Sequence, residues 1–144
     1  MSMPTDAAIY IGQEVKAITE LIAGIDPYIP DEDMVEVLIG EVIAWGVIEA
    51  QVLFPALEAA LEGAEVATAA GRERLNTLYS LQNTIHDAEG ADSPFTDLAL
   101  RYINAVKYHL VVDVQEMIPL AAQLPQALSA ALARSMAAMK LDME

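Results

Sequence analysis

The chain contains no cysteine, only two histidines and only 7 basic residues among 144. The absence of cysteine excludes disulfides, thiolate metal sites and cysteine nucleophiles. The two histidines, His86 and His109, leave few candidates for acid–base catalysis. The sequence also lacks a glycine-rich phosphate loop and an HExxH motif. We therefore expect a protein that is not an enzyme.

The charge balance is strongly acidic, with 22 Asp and Glu residues and a net charge of −15. This charge argues against nucleic acid and anionic membrane surfaces as partners. Apolar residues make up 55% of the chain, but Glu41, Glu49 and Pro55 interrupt the longest apolar region. We expect no membrane span. The start, MSMPTDAAIY, has no basic region followed by an apolar one, so we expect no signal peptide and a cytoplasmic location.

Ala, Leu, Ile, Val and Glu dominate the sequence, and turn residues are few and clustered, which predicts an all-α fold. Apolar stripes at helical spacing predict three helices over about 6–23, 32–61 and 65–85. A fourth is expected to begin at Pro94, with Ser93 as its N-cap, and to run to about Pro119. Pro125 is expected to start a short fifth helix that either covers the bundle or forms a homodimer contact. The prediction is one domain over residues 1–144, an antiparallel up-down four-helix bundle with a short C-terminal helix.

Within the fourth predicted helix, the stretch Tyr102 to Pro119 carries an acid on its core-facing stripe. Asp113 falls in the middle of that stripe, and His109 lies one helical turn earlier, since residues i and i+4 share a face. A buried carboxylate is costly unless another group pairs with it. Asp113 is therefore predicted to hold a partner inside the bundle.

The second predicted helix repeats this arrangement, because WGVIEAQVLFPAL echoes HLVVDVQEMIPLA. In each segment an acid follows the first residue by four positions and precedes a proline by six. The matched residues are Trp45, Glu49 and Pro55 in one helix and His109, Asp113 and Pro119 in the other. One carboxylate thus lies on the core-facing stripe of each of two helices.

VLFPAL at Val52–Leu57, together with the His109/Asp113/Pro119 frame, resembles the hemerythrin-like (HHE cation-binding) family. That family has a His-x-x-x-Glu and a Leu-Phe-Pro-like ending on its second and fourth helices, and a further histidine early in its first and third. The resemblance implies a four-helix bundle around a non-haem di-iron centre, used for oxygen binding or for iron and redox sensing.

By this resemblance Glu49 and Asp113 would bridge the two metal ions, and His109 would be a terminal ligand. The family's other histidines fall at Val15, at Trp45, and at Arg72 or Leu75, and none of these is histidine. The di-iron site is therefore expected to be lost or strongly reduced. A binding, sensing or structural module without a cofactor is the leading interpretation.

Two other interpretations remain open at this stage. Glu49, His109 and Asp113, with Glu14 as a weaker fourth member, form a donor set suited to iron, manganese or zinc. Without metal, the two acids would share a proton beside His109, and Arg74 would supply the positive charge. In a third interpretation, the space left by the metal accepts a small apolar ligand, and Trp45 either plugs or lines it. Whether Glu49 and Asp113 face each other depends on the helix register.

Overall fold

The structure is a computed structural model and describes residues 6–88 and 95–144. Within these residues the chain forms five helices and no strand, so the all-α prediction is confirmed. Helix α1 spans Ala7–Ala23, α3 spans Glu65–Asp87 and α5 spans Gln126–Met143. Helix α2 joins Glu32–Ile48, a π-helix at Glu49–Leu53, and Phe54–Ala60. Helix α4 joins Phe95–Val112, a π-helix at Asp113–Met117, and Ile118–Ala122.

Short polar side chains cap the N-termini of the first two helices. The carboxylate of Asp6 accepts a hydrogen bond from the backbone N–H of Ile9, and that of Asp31 accepts one from Met34. These bonds satisfy amides that have no partner within the helix. The predicted N-cap of α4, Ser93 with Pro94, lies outside the described residues.

Both acids of the internal repeat begin a π-helix. The backbone N–H of Phe54 bonds the carbonyl of Glu49, and that of Ile118 bonds the carbonyl of Asp113, five residues back in each case. Each π-helix ends two residues before a proline, Pro55 or Pro119, whose ring nitrogen has no hydrogen to donate. The sequence predicts a kink or a break at Pro55. A π-helical segment interrupts the α-helix just before the proline, and the helix then continues through Pro55 to Ala60.

Helix α5 is 18 residues long, so the expectation of a short C-terminal helix is wrong. It packs on α1 and α2 and buries Leu132, Ala133 and Met136. The hydroxyl of Ser129 accepts a hydrogen bond from the backbone N–H of Ala7, at 2.8 Å. The helix therefore covers one side of the bundle, which is one of the two roles expected for it.

Helix α2 is 29 residues long, Glu32–Ala60, and among the described residues it alone has the length and apolar composition to cross a membrane. The sequence predicts no membrane span, because Glu41, Glu49 and Pro55 interrupt its apolar region. The match concerns length and composition only, which the core helix of a soluble protein also satisfies. In the bundle, α2 buries Trp45 and Phe54 together with the acid Glu49.

Candidate polar centre of the bundle

The two π-helices place their first residues against each other in the middle of the bundle. Glu49 and Asp113 are both 0% exposed, and a carboxyl oxygen of one lies within 4.8 Å of a carboxyl oxygen of the other, so the two acids face each other. His109, 2% exposed, lies beside them. One possible metal-ligand atom from each of the three residues lies within 4.8 Å of the others. The structure thus brings together Glu49, His109 and Asp113, the main candidates from the sequence.

His109 contacts both acids through one ring nitrogen and a base through the other. Its Nε2 lies 2.6 Å from Oε1 of Glu49 and 3.4 Å from Oδ2 of Asp113. On the opposite side of the ring, Nε of Arg74 donates a hydrogen bond to Nδ1, at 3.1 Å. Because Nδ1 accepts this bond, the neutral ring carries its proton on Nε2 and donates it to Glu49.

Trp45 both fills space and donates a hydrogen bond in this centre. The indole is 2% exposed, and its Nε1 donates to Oδ2 of Asp113 at 3.0 Å. The sequence predicts burial of Trp45 from its apolar area but gives no sign of the bond to Asp113. A buried indole N–H commonly finds such a partner, and the spacing of Trp45 in the repeat is the signal that could have suggested it.

Burial shifts the ionisation of all three residues toward their neutral forms. It raises the pKa of Glu49 to about 8, although the hydrogen bond from Asp113 and the charge of Arg74 oppose the shift. Burial, and then the charge of Glu49, raise the pKa of Asp113 well above its usual range. The pKa of His109 is lowered, first by burial. A neutral His109 and a proton held between the two acids leave one negative charge, which the Arg74 guanidinium balances.

Not every polar atom of the centre is satisfied. Oε2 of Glu49, Oδ1 of Asp113 and Nη2 of Arg74 are buried and have no hydrogen-bond partner among the residues that the structure describes. The two carboxyl oxygens are acceptors that a cation would satisfy, whereas Nη2 is a donor that a cation would repel. The donor set therefore fits a metal only in part.

Glu14 does not join this centre. Both of its carboxylate oxygens bind Nζ of Lys140 on α5, at 2.7 and 3.0 Å, and Lys140 also lies 3.9 Å from Glu41. Tyr10 precedes Glu14 by one turn on α1, and its ring centroid lies 6.4 Å from that of Trp45. Lys140 was not recognised from the sequence, because 126 residues separate it from its partner.

The remaining candidates lie away from the centre. His86 is exposed in the last turn of α3, which ends two residues beyond the predicted end of this helix at about residue 85. Arg72 binds Glu58 at 2.6 Å and stacks over Phe54. The described residues form three surface clefts of about 190 to 840 Å³, and none is lined by Trp45 or by the three residues of the centre.

Comparison of the chain with protein-family models, curated proteins and solved structures finds no match. The fold and the centre define its class: an all-α protein in which two carboxyl groups, an imidazole and a guanidinium meet in the core. The resemblance to the hemerythrin-like family therefore rests on the residue pattern in this chain.

Proposed function

We propose that this chain is a divergent hemerythrin-like, up-down four-helix bundle in which a metal-free polar centre replaces the di-iron site. It acts as a non-enzymatic binding, sensing or structural module in the cytoplasm. The observation that carries this proposal is the hydrogen bond from Nε of Arg74 to Nδ1 of His109, at 3.1 Å.

This bond gives His109 the tautomer opposite to that of a metal ligand. A histidine that binds metal through Nε2 presents a lone pair there and usually donates its Nδ1–H to a carboxylate, a carbonyl or water. Arg74 instead donates to Nδ1, so Nε2 carries the hydrogen that faces Glu49. Metal binding through Nε2 would require Arg74 to withdraw. The positive charge of Arg74 also raises the cost of placing a second cation beside it.

The internal repeat supports the family assignment. The two helices that carry the acids share the order of α-helix, π-helix and proline, and the acid begins the π-helix in both. The third-helix position that would hold a histidine in the family is Arg72 or Leu75, within three residues of Arg74. Burial of the centre supports a non-enzymatic role, because Glu49, His109 and Asp113 are at most 2% exposed.

The proposal is tested by elemental analysis and by ¹⁵N NMR of the two histidines. The protein is expressed without a metal-binding tag, in media supplemented with iron, manganese or zinc. We expect no stoichiometric metal. We also expect ¹⁵N shifts that place the His109 hydrogen on Nε2, with His86→Gln used to assign the two rings. Stoichiometric metal that disappears in Glu49→Ala, or a hydrogen on Nδ1 of His109, would overturn the proposal.

A metal-binding protein for oxygen or iron handling is the second candidate. It is favoured by the ligand atoms of Glu49, His109 and Asp113, which lie within 4.8 Å of one another, and by the two carboxyl oxygens without partners. The same elemental analysis decides between the candidates. A homodimer formed through α5, whose Leu141 is 67% exposed, remains a prediction that sedimentation analysis would test.

A further inference from the structure

An apolar cleft of about 390 Å³ lies on the surface of the bundle, between α1 and α4. This volume falls in the range of small-molecule sites. Its lining runs from Val15 to Ile22 on α1 and from Lys107 to Gln115 on α4, and the lining residues of each helix recur at helical spacing. Each helix therefore presents one face to the cleft.

The floor of the cleft is buried, and its sides are apolar but exposed. Ile22 and Leu110 are buried, whereas Val111 and Val114 are 51% and 45% exposed. The hydroxyl of Thr19 donates to a backbone carbonyl of its own helix at 2.7 Å, so its hydrogen is already used. Apolar side chains grouped in this way favour an apolar occupant, because covering them removes apolar surface from water.

The charge of the cleft is positive, in contrast to that of the whole chain. Among the described residues, Lys107 alone brings a charge to the lining, although the chain has 22 acids and only 7 bases. Lys107 is exposed and forms no ion pair within 6–88 and 95–144. It lies at one end of the α4 side, and its ammonium group donates hydrogen bonds and accepts none. The cleft thus combines an apolar body with a cationic end, which complements an anionic head group on an apolar chain.

The dimensions of the cleft limit the size of its occupant. Lys107 and Gln115 are about 12 Å apart along the helix at 1.5 Å per residue. An extended alkyl chain of about eight to ten carbon atoms covers this distance. The axes of packed helices are about 8–10 Å apart, so the groove between them is narrower than a third helix, which is about 10–12 Å wide. These dimensions favour a single alkyl chain over a helix from another protein or from a second copy.

We propose that this cleft binds a medium-chain carboxylate, with the alkyl chain along the groove toward Gln115 and the carboxylate beside Nζ of Lys107. The chain covers Val111 and Val114, and the carboxylate accepts charge-assisted hydrogen bonds from the ammonium group. The net charge of −15 repels anions at long range, but salt screens that repulsion beyond about 8 Å at physiological ionic strength. The site lies outside the polar centre and does not depend on the function proposed for it.

Decanoate below its micelle concentration is the probe, and decylammonium and 1-decanol keep the chain but change the head group. Binding to the full-length protein at physiological ionic strength is measured by calorimetry and by NMR of the valine methyl groups. We expect saturable decanoate binding that shifts the methyl signals of Val111 and Val114, and weaker binding of decylammonium. No saturable decanoate binding, or decylammonium binding as tightly as decanoate, would overturn the proposal.

Lys107→Met tests the contact with the head group. It should weaken decanoate binding about two- to fivefold, as expected for one exposed charge pair, without weakening the binding of 1-decanol. Arg101→Met is the matched control, because Arg101 is exposed on the same helix but does not line the cleft. It removes the same charge and should bind decanoate as the wild type does. Unchanged decanoate binding in Lys107→Met, or an equal loss in both variants, would refute the proposal.

Thr19→Phe locates the site, because a ring at this exposed position fills the cleft and should abolish decanoate binding. Thr77→Phe on α3 is its control, since Thr77 is also exposed and its hydroxyl likewise donates to the carbonyl four residues before it. Circular dichroism checks that both variants fold, and sedimentation tests whether a second copy covers the cleft instead. A dimer that Thr19→Phe dissociates, or decanoate binding that Thr19→Phe leaves unchanged, would end the proposal.

Discussion

Trp45 and His109 occupy equivalent positions in the internal repeat, and each hydrogen-bonds the acid of the opposite helix. Trp45 of α2 donates to Asp113 of α4, at 3.0 Å, and His109 of α4 bonds Glu49 of α2, at 2.6 Å. The exchange ties the two π-helices together through their side chains. By the resemblance to the hemerythrin-like family, Trp45 only replaces a lost histidine ligand. The structure gives the indole a further role, because it donates a hydrogen bond at the repeat position where the other helix has an imidazole.

Trp45→Phe tests the contribution of this bond. Phenylalanine keeps a large apolar ring but leaves Oδ2 of buried Asp113 without its donor, so we expect a loss of about 1–3 kcal/mol in the free energy of unfolding. Urea denaturation followed by circular dichroism measures it, because the variant has no tryptophan fluorescence. Tyr28→Phe, at a side chain 86% exposed, is the control and should change stability by less than about 0.5 kcal/mol. Wild-type stability in Trp45→Phe would contradict the role assigned to the indole.

The ionisation of the centre predicts that stability falls as pH rises above neutrality. The folded-state pKa of Glu49, about 8, and that of Asp113 lie above those of the unfolded chain, so the folded state binds more protons. Stability from these acids is present in full below their unfolded pKa values and is lost as pH rises through the folded ones. His109 has a lowered pKa, so its contribution acts oppositely and is lost as pH falls below about 6.5.

We therefore expect the free energy of unfolding to decline between about pH 7 and 8, where His109 is largely neutral in both states. Urea titrations at a series of pH values measure the decline. Glu49→Gln keeps an acceptor for His109 and removes one titrating group. The free energy of unfolding of this variant should therefore fall less steeply with pH than that of the wild type. If the free energy of unfolding of the wild-type protein rises over this interval, the two acids are ionised in the folded state and are neutralised by another cation rather than by a proton.

Helical periodicity made much of the fold predictable. The apolar stripes locate all five helices, and the same stripes reveal Glu49 and Asp113 as acids on core-facing positions. Asp31 is identifiable as a cap, because its short carboxylate precedes an apolar stripe and reaches the free amide of Met34. These features depend on residues close together in the chain, which is why the sequence alone predicts them.

Other features depend on contacts between distant segments. Proline accounts for an irregularity at Pro55 and Pro119, but whether the chain kinks or inserts a π turn depends on packing around the whole bundle. The sequence places Arg74 on the flank of its helix but does not show that its Nε meets Nδ1 of His109. The pairing of Glu14 with Lys140 likewise exists only because α5 folds back onto α1.

Lys140→Met tests this attachment of α5. The change leaves Glu14, 8% exposed, without its cation, and we expect a loss of about 1–3 kcal/mol in the free energy of unfolding. Hydrogen exchange should also rise in the last turns of α5. Arg134→Met on the same helix is the control, because Arg134 is exposed and forms no ion pair within the described residues. A second change, Glu14→Gln, should recover part of the loss, and equal effects of Lys140→Met and Arg134→Met would refute the attachment.

Arg74→Met asks whether the guanidinium keeps metal out of the centre. Without Arg74, the His109 hydrogen is free to move to Nδ1, and the Nε2 lone pair can then face Glu49 and Asp113. The positive charge beside the two acids is also removed. We expect the variant to be less stable than the wild type by about 1–3 kcal/mol, because a buried negative charge loses its partner. We also expect it to bind zinc or manganese where the wild type does not.

Equilibrium dialysis with elemental analysis measures the metal, and thermal denaturation with and without metal measures the linked gain in stability. Arg72→Met is the matched control, since Arg72 lies on the same helix but binds Glu58 and stacks over Phe54, away from His109. It should remain free of metal. If Arg74→Met also binds none, the missing histidines alone suffice to explain the loss of the site. If the wild type binds metal as tightly as Arg74→Met, the hydrogen bond from Arg74 to His109 is no barrier, and the metal-binding candidate gains the advantage.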